Sequence, residues 1–488
     1  MKKTLTTTLL LITFLLVSCN KKNVDSIDAP TTDKINLFIW SGLNTYYLWQ
    51  KDVPNLADNR FRNFEELFSF FRGFSSPETV FESLRFKPGL VDRFSIIVDD
   101  YVALENSFQG ISLNNGMEFG LVRYANSTTQ IFGYVRYIIP NSDAEIKGIS
   151  RGMIFNTVNG TQLTDTNFGN LLFGNNSVYT IGFANYNSGN PTSNSTSISL
   201  TKTELQENPI PISKVFDEGT KKIGYLLYNQ FSSSFDGELN TAFADFKAKN
   251  INELIVDLRY NGGGSVQTAT YLGSMITGQF NGQLYSKEVW NQKVLDAIPA
   301  DRFINNFTSQ IRNLDRNGNV ILNQNINSLG LTKVYFIVSS STASASELVI
   351  NSLSAYIDVQ LVGVKTVGKQ VGSITLYDSD NLQRNGPNLN TNHTYAMQPI
   401  VLEISNKNNE NHPEGFTPEI SLPGIFIQEN FGNLGVLGER SDPLLDRTLT
   451  LITTGAKGIL HTKNQIVYEE IFNSKLATPT RNNMYVDF

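Results

Sequence analysis

The chain has 488 residues, 40% of them hydrophobic and 17% charged, with a formal net charge of -6 and a single cysteine. That length calls for two to four domains, and that balance excludes a disordered chain. Interspersed charges with no nucleic-acid motif exclude DNA or RNA as a partner, and one thiol excludes a disulfide scaffold.

The chain opens with Lys2 and Lys3 followed by "LLLITFLLV", the pattern of an export signal over residues 1–18. The apolar run is short for a membrane span. It ends in "LVSC", Leu16 to Cys19, which resembles the bacterial lipobox. That resemblance implies a lipid on the Cys19 thiol and an exported protein held on the periplasmic face or outer surface of a membrane. A plain secretory signal with a chance cysteine is the alternative. Residues 19–34 are polar and read as a tether.

Ile35, Phe38, Ile39, Leu43 and Tyr46 recur at helical spacing. "NFEELFSFFRGF" predicts a second helix, with Asn63 and Glu66 as a capping box and Gly73 as its stop. A small helical domain is therefore expected over 35–100. Residues 101–205 alternate short strands and turns. "GYVRYIIP" is a strand, Asn141 to Lys147 a short helix, and "GMIFNTVNGTQL" a hairpin turning at Asn159-Gly160. Tyr179 to Thr203 reads as a hairpin with a long polar loop. This order resembles a PDZ domain, although Met153 stands where that family usually has Asp. The resemblance implies a peptide groove along "GMEFGLV", with Gly116, Phe119, Gly120 and Leu121 as peptide-binding residues. A small β domain without a groove is the alternative.

From about Pro209 the pattern becomes α/β. "KKIGYLLYNQF", "INELIVDLRYNGGG", "LTKVYFIV" and "VQLVGV" are apolar strands, alternating with "DGELNTAFADFKAKN" and "SELVINSLSAYI" as helices. An α/β core with a helix-covered sheet is expected over 206–475, and a tail over 476–488. "DRNGN", Asp315 to Asn319, lacks the later acids of a calcium loop and reads as a hairpin turn.

"STASASELVI", Ser341 to Ile350, places hydroxyls and small residues between a strand and a helix. A hydroxyl there is either a helix cap or a nucleophile. The helix N-terminus favours developing negative charge and offers free N–H groups to an oxyanion. A nucleophilic serine needs a base. His393, His412 and His461 sit in no recognisable motif, whereas "TVGKQVG" sets Lys369 in a glycine-flanked loop, with Lys365 as its local competitor. Burial can keep such a lysine neutral.

"SASE" from Ser344, "VGKQVG" around Lys369 and "DLRYNGGG", Asp257 to Gly264, together resemble the C-terminal-processing, or tail-specific, serine protease family. In that family the base lies 25 positions after the nucleophile, the interval between Ser344 and Lys369. The resemblance runs from about Asp33 to Asp442. It implies Ser344 as nucleophile, Lys369 as general base, and the N–H groups of Ala345 and Gly263 as oxyanion donors. It also implies protein or peptide substrates and no cofactor. No cluster of His, Cys and acids suggests a metal. Many members carry glutamine four positions after the lysine, where this chain has Ser373. Ser346 competes with Ser344 as nucleophile, and Asp257 with Arg259 reads as a structural ion pair. The competing function is a noncatalytic peptide- or ligand-binding lipoprotein on the same fold.

Overall fold

A computed structural model describes residues 31–456 and 468–486. The signal segment, Cys19, most of the tether and His461 lie outside the described residues. The helix Thr31–Tyr46 buries Ile35, Phe38, Ile39 and Leu43, as their spacing requires. Asn63 caps Phe64–Phe71 by accepting from the Glu66 N–H at 3.0 Å. The reciprocal half of the expected capping box goes elsewhere, because the Glu66 carboxylate accepts from the Arg62 N–H at 2.9 Å. A third helix, Pro77–Ser83, starts from a Ser76 cap. These helices share one hydrophobic core with the α/β part, in which Phe38, Leu43 and Phe81 join Leu226, Leu272 and Val401. The Leu48 N–H also donates to the Ile400 carbonyl at 2.9 Å.

The β-rich part folds around its own core of Met117, Phe119, Leu121, Phe155 and Ile181. Its antiparallel sheet runs Met117–Arg123, Ile131–Ile138, Ile154–Val158, Val178–Asn185, Thr192–Thr201. Asn159 and Gly160, at φ 50° and 78°, make the expected tight turn. A strand from far along the chain, Glu470–Asn473, completes this sheet beside Met117–Arg123.

The α/β part contains a six-stranded sheet in the order Ile212–Glu218, Lys221–Leu227, Glu253–Asp257, Lys333–Val338, Asp358–Gly363, Gly424–Phe426. Its first pair is antiparallel and the rest are parallel. Parallel strands buried on both faces need continuous apolar runs, which "ELIVD" and "KVYFIV" supply. One face carries Leu272, Leu348 and Val349 in the main core. The other is closed by Leu444, Leu445 and Leu449 of the helix Pro443–Thr454. A second six-stranded sheet runs Gly264–Ser265, Met484–Tyr485, Val371–Ser373, Ile400–Ser405, Leu284–Trp290, Ile304–Asn306. Residues expected as a tail thus supply an internal strand, because the 264–265 and 371–373 edges both present unpaired backbone to it. "DRNGN" is the turn of the hairpin Gln310–Leu314 with Val320–Asn325, and the Asp315 carboxylate accepts from the Asn317 and Asn319 N–H groups at 2.8 Å. No helix among the described residues is long and apolar enough to cross a membrane.

Candidate active site

Ligands of open α/β sheets collect at the carboxyl ends of the parallel strands. There, Lys333–Val338 passes into residues 339–344 and then into the helix Ala345–Ser354. The turn is pinned to the neighbouring strand end. The Thr342 hydroxyl donates to the Leu258 carbonyl at 2.9 Å, and the Ala343 N–H to the Asn261 carbonyl at 3.2 Å. Ser344 takes φ 67° and ψ −120°, a conformation that costs of order 1–3 kcal/mol for a residue with a side chain. Its Oγ is buried and has no hydrogen-bond partner among the described residues. A capping serine would spend that oxygen on a helix N–H. Ser344 Oγ faces the Glu347 N–H in capping-box fashion without completing that bond, an arrangement compatible with either meaning of the motif.

Gly263 comes so close that a Cβ there would lie 2.6 Å from the Ser344 Cβ and 3.0 Å from the Ala345 nitrogen, at φ 112°. Only glycine fits. Ala345 is the first helical residue, so its N–H has no intrahelical acceptor. The Gly263 N–H, by contrast, donates to Asn261 Oδ1 at 2.9 Å. Ser346 is also buried, and its hydroxyl donates to the Asn261 carbonyl at 3.1 Å.

Lys369 lies in the loop after Asp358–Gly363 and is 2% exposed. Burial pushes its pKa down to about 7, and Arg93 pushes the same way, while Asp92 and Glu347 pull it back up. Its Nζ donates to the Asn482 carbonyl at 2.7 Å and sits 4.9 Å from the centre of the Phe94 ring. Ser344 and Lys369 line one small pocket with Glu347, Leu348, His412 and Met484. Lys365 is exposed, 3.9 Å from Glu414. The Glu347 carboxylate joins the two catalytic candidates. It accepts from the N–H groups of Ser344 at 2.9 Å, Gly368 at 2.8 Å and Lys369 at 2.8 Å, and from the Thr366 hydroxyl at 2.5 Å. Its burial raises its pKa.

Sequence reasoning singled out Ser373, which stands at the usual glutamine position, but neither Glu347 nor Asn483. The Ser373 hydroxyl donates to Asn483 Oδ1 at 2.9 Å, and Asn483 also bonds Gln398. Asn483 Oδ1 lies 3.5 Å from Lys369 Nζ, so Ser373 reaches the lysine neighbourhood through another side chain. His412, which sequence reasoning set aside, is half-buried at the pocket, with its pKa lowered by burial. His393 pairs with Asp378 at 3.1 Å.

The four expected groove residues behave differently from one another. Gly116 turns the chain at φ 86°, where a Cβ would meet Ser142 at 2.0 Å. A Cβ on Gly120 would meet the Tyr134 ring at 2.5 Å. Phe119 and Leu121 point into the core, not into a groove, and Phe119 packs on Phe155 and Phe173 with ring centres 5.3 and 5.9 Å away. Alternate strand residues face the same side, so this strand offers a ligand its backbone. Arg259 is fully buried among carboxylates, 2.7 Å from Asp257, 2.8 Å from Asp442 and 3.1 Å from Glu429, a structural ion network. Among the described residues no group of three or more His, Cys, Asp or Glu is placed to hold a metal.

Comparison with known proteins bears on this geometry. The Peptidase S41 N-terminal domain matches residues 34–96, and Peptidase family S41 matches residues 222–410. A protein named Probable CtpA-like serine protease from Staphylococcus epidermidis is 24% identical over 177 residues, 36% of this chain and 31% of that protein. The match therefore spans about a third of that relative's length. The crystal structure of an S41 protease candidate from Bacteroides fragilis superposes with a TM-score of 0.62 at 21% identity, covering 86% of this chain and 97% of the other. At that identity the likeness is one of fold.

Proposed function

The chain belongs to peptidase family S41, and on that footing we propose that it is an exported, lipid-anchored serine endopeptidase with a Ser344–Lys369 dyad. The observation that carries this reading is a buried lysine with its pKa brought to about 7, lining the same pocket as a strained serine whose hydroxyl is unpartnered. Neutral Lys369 takes the Ser344 proton as Oγ attacks the scissile carbonyl. The Ala345 N–H receives the oxyanion. Gly263 joins it by exchanging its bond to Asn261 for one to substrate. The resulting ammonium protonates the leaving amine, and water, activated by the same lysine, releases the acyl-enzyme. The PDZ-like segment over 101–205 recruits protein C-termini, and the catalytic segment begins near 206. Ser373, in place of the usual glutamine, favours the second reading, a noncatalytic peptide-binding lipoprotein.

The test is hydrolysis of an unfolded protein with an apolar C-terminus. Ser344→Ala, Lys369→Ala and the double variant should share one low residual activity, since members of a catalytic unit do not add. Ser346→Ala and Lys365→Ala should stay within a few-fold of the parent. A folded Lys369→Ala protein with full activity refutes the dyad.

A further inference from the structure

The segment 468–486 lies along both halves of the site. Glu470, Phe472 and Asn473 pair antiparallel with Val122, Leu121 and Gly120 of the expected peptide-binding strand. The Phe472 ring enters between Phe168 and Phe173, with ring centres 5.1 and 5.3 Å away. The Glu470 carboxylate pairs with buried Arg136 and accepts from the Tyr134 hydroxyl at 2.6 Å. Arg136 also donates to the Ser341 hydroxyl at 2.8 Å, three residues before Ser344. This is strand addition to a sheet edge with one apolar pocket and one charged anchor, the physics of peptide capture. The segment then continues where a peptide ligand would end. Ser474 accepts from the Phe119 N–H at 3.0 Å, and the Thr480 hydroxyl lies 2.9 Å from that of Ser107. Asn482 gives its carbonyl to Lys369, and Met484–Tyr485 pairs with Gly264–Ser265 beside Gly263. A Cβ on Gly263 would lie 2.6 Å from the Asn483 carbonyl oxygen.

We propose that this continuous path, from the Phe168–Phe173 cleft to the dyad, is the track of the polypeptide substrate, and that residues 468–486 occupy it as an inhibitor in cis. The proposal rests on the peptidase reading above. It names the substrate chemistry the track selects: an extended chain with an acid two residues before an aromatic or large aliphatic side chain. With the segment in place the Lys369 Nζ donates to the Asn482 carbonyl and the side of Met117–Arg123 that would receive a peptide is already paired, so hydrolysis of a polypeptide along this track requires the segment to leave. A segment tethered in cis acts at an effective concentration on the order of millimolar, which weak peptides cannot overcome.

Two measurements test this. The Ser107→Cys/Thr480→Cys pair, in a Cys19→Ser full chain, converts the close hydroxyl contact into a disulfide that locks the segment. Oxidised protein should hydrolyse the unfolded substrate at least about tenfold more slowly than the same protein after reduction, since the locked segment cannot be displaced. Equal rates in a fully cross-linked sample would overturn the inhibitor and leave 468–486 as a permanent strand. Inactivity in both states would instead defeat the peptidase reading, and the second measurement then decides alone. An isotope-labelled peptide of sequence 468–486, added in excess to the unmodified full chain, should speed amide hydrogen exchange at Glu470–Asn473 and Met484–Tyr485. Unchanged exchange with bound peptide would show that ligand does not use the track, and the proposal falls.

Discussion

The lysine offers the most quantitative prediction. Each pKa unit corresponds to about 1.4 kcal/mol, so holding Lys369 near 7 instead of its ordinary 10.5 disfavours its charged form by about 5 kcal/mol. Two consequences have opposite uses. For activity, only the neutral amine accepts a proton. About one amine in eleven is neutral one pH unit below the pKa and about ten in eleven one unit above, so kcat/KM should rise with pH, roughly tenfold between pH 6 and 8 where residues 482–485 stay against Lys369, and with a midpoint above 7 where their departure exposes the amine. The groups facing Nζ are Asp92, Glu347 and Arg93, with His412 on the pocket wall. His412→Gln should therefore leave the midpoint in place, because burial holds that imidazole below its ordinary value. For stability, the unfolded chain binds one proton more than the folded chain between about pH 7 and 10.5, so this site adds stability as pH rises through that window. Lys369→Met removes the cost of stripping the ammonium of its proton and water. It forfeits the bond to the Asn482 carbonyl, worth about 1–3 kcal/mol if that group stays buried. The net expectation at pH 7 is an inactive protein more stable by roughly 1–3 kcal/mol, read by urea unfolding with m unchanged. A flat or falling pH profile, or a destabilised Lys369→Met protein, refutes the claim that burial tunes this lysine.

Glu347→Gln should lower kcat by about 10²-fold, through misplacement of both catalytic loops, in a protein that still folds by circular dichroism. Because the Glu347 charge pulls the Lys369 pKa up, the pH midpoint of the residual activity should move to lower pH; an upward move contradicts the assignment. Arg259→Met strands Asp257 and Asp442 in the core and should cost about 3–5 kcal/mol of stability, measured by thermal and urea unfolding. Cys19→Ser should release the protein from the membrane fraction with its hydrolytic rate intact, and retention after a salt wash excludes the lipid anchor.

Local pattern was enough for much of the architecture. The runs "ELIVD" and "KVYFIV" can satisfy only strands buried on both faces, and the Asn159-Gly160 and Asp315 turns follow from residues that tolerate or bond those conformations. The Ser344 to Lys369 interval was visible too, because strand, turn and helix lie consecutively between them. What was hidden depends on pairs far apart along the chain. Glu347 reads as an ordinary residue of a first helical turn until the loop 366–369 folds onto it and supplies three donors. Gln398, Asn483 and Ser373 form one network only because the strand Ala396–Gln398 of a separate three-stranded sheet ends beside the second sheet, where Ser373 and the residue before Met484–Tyr485 lie side by side. "GMEFGLV" was expected to line a peptide groove, but alternation alone could not say which side faced the core; Phe119 faces inward, and the strand is paired on both sides, with Glu470–Asn473 along one of them. The segment 468–486 carries no strong periodicity. Its place across the Phe168–Phe173 cleft and the Lys369 pocket is decided by unpaired backbone on two sheets and by a pocket for Phe472, which exist only once the rest of the chain has folded.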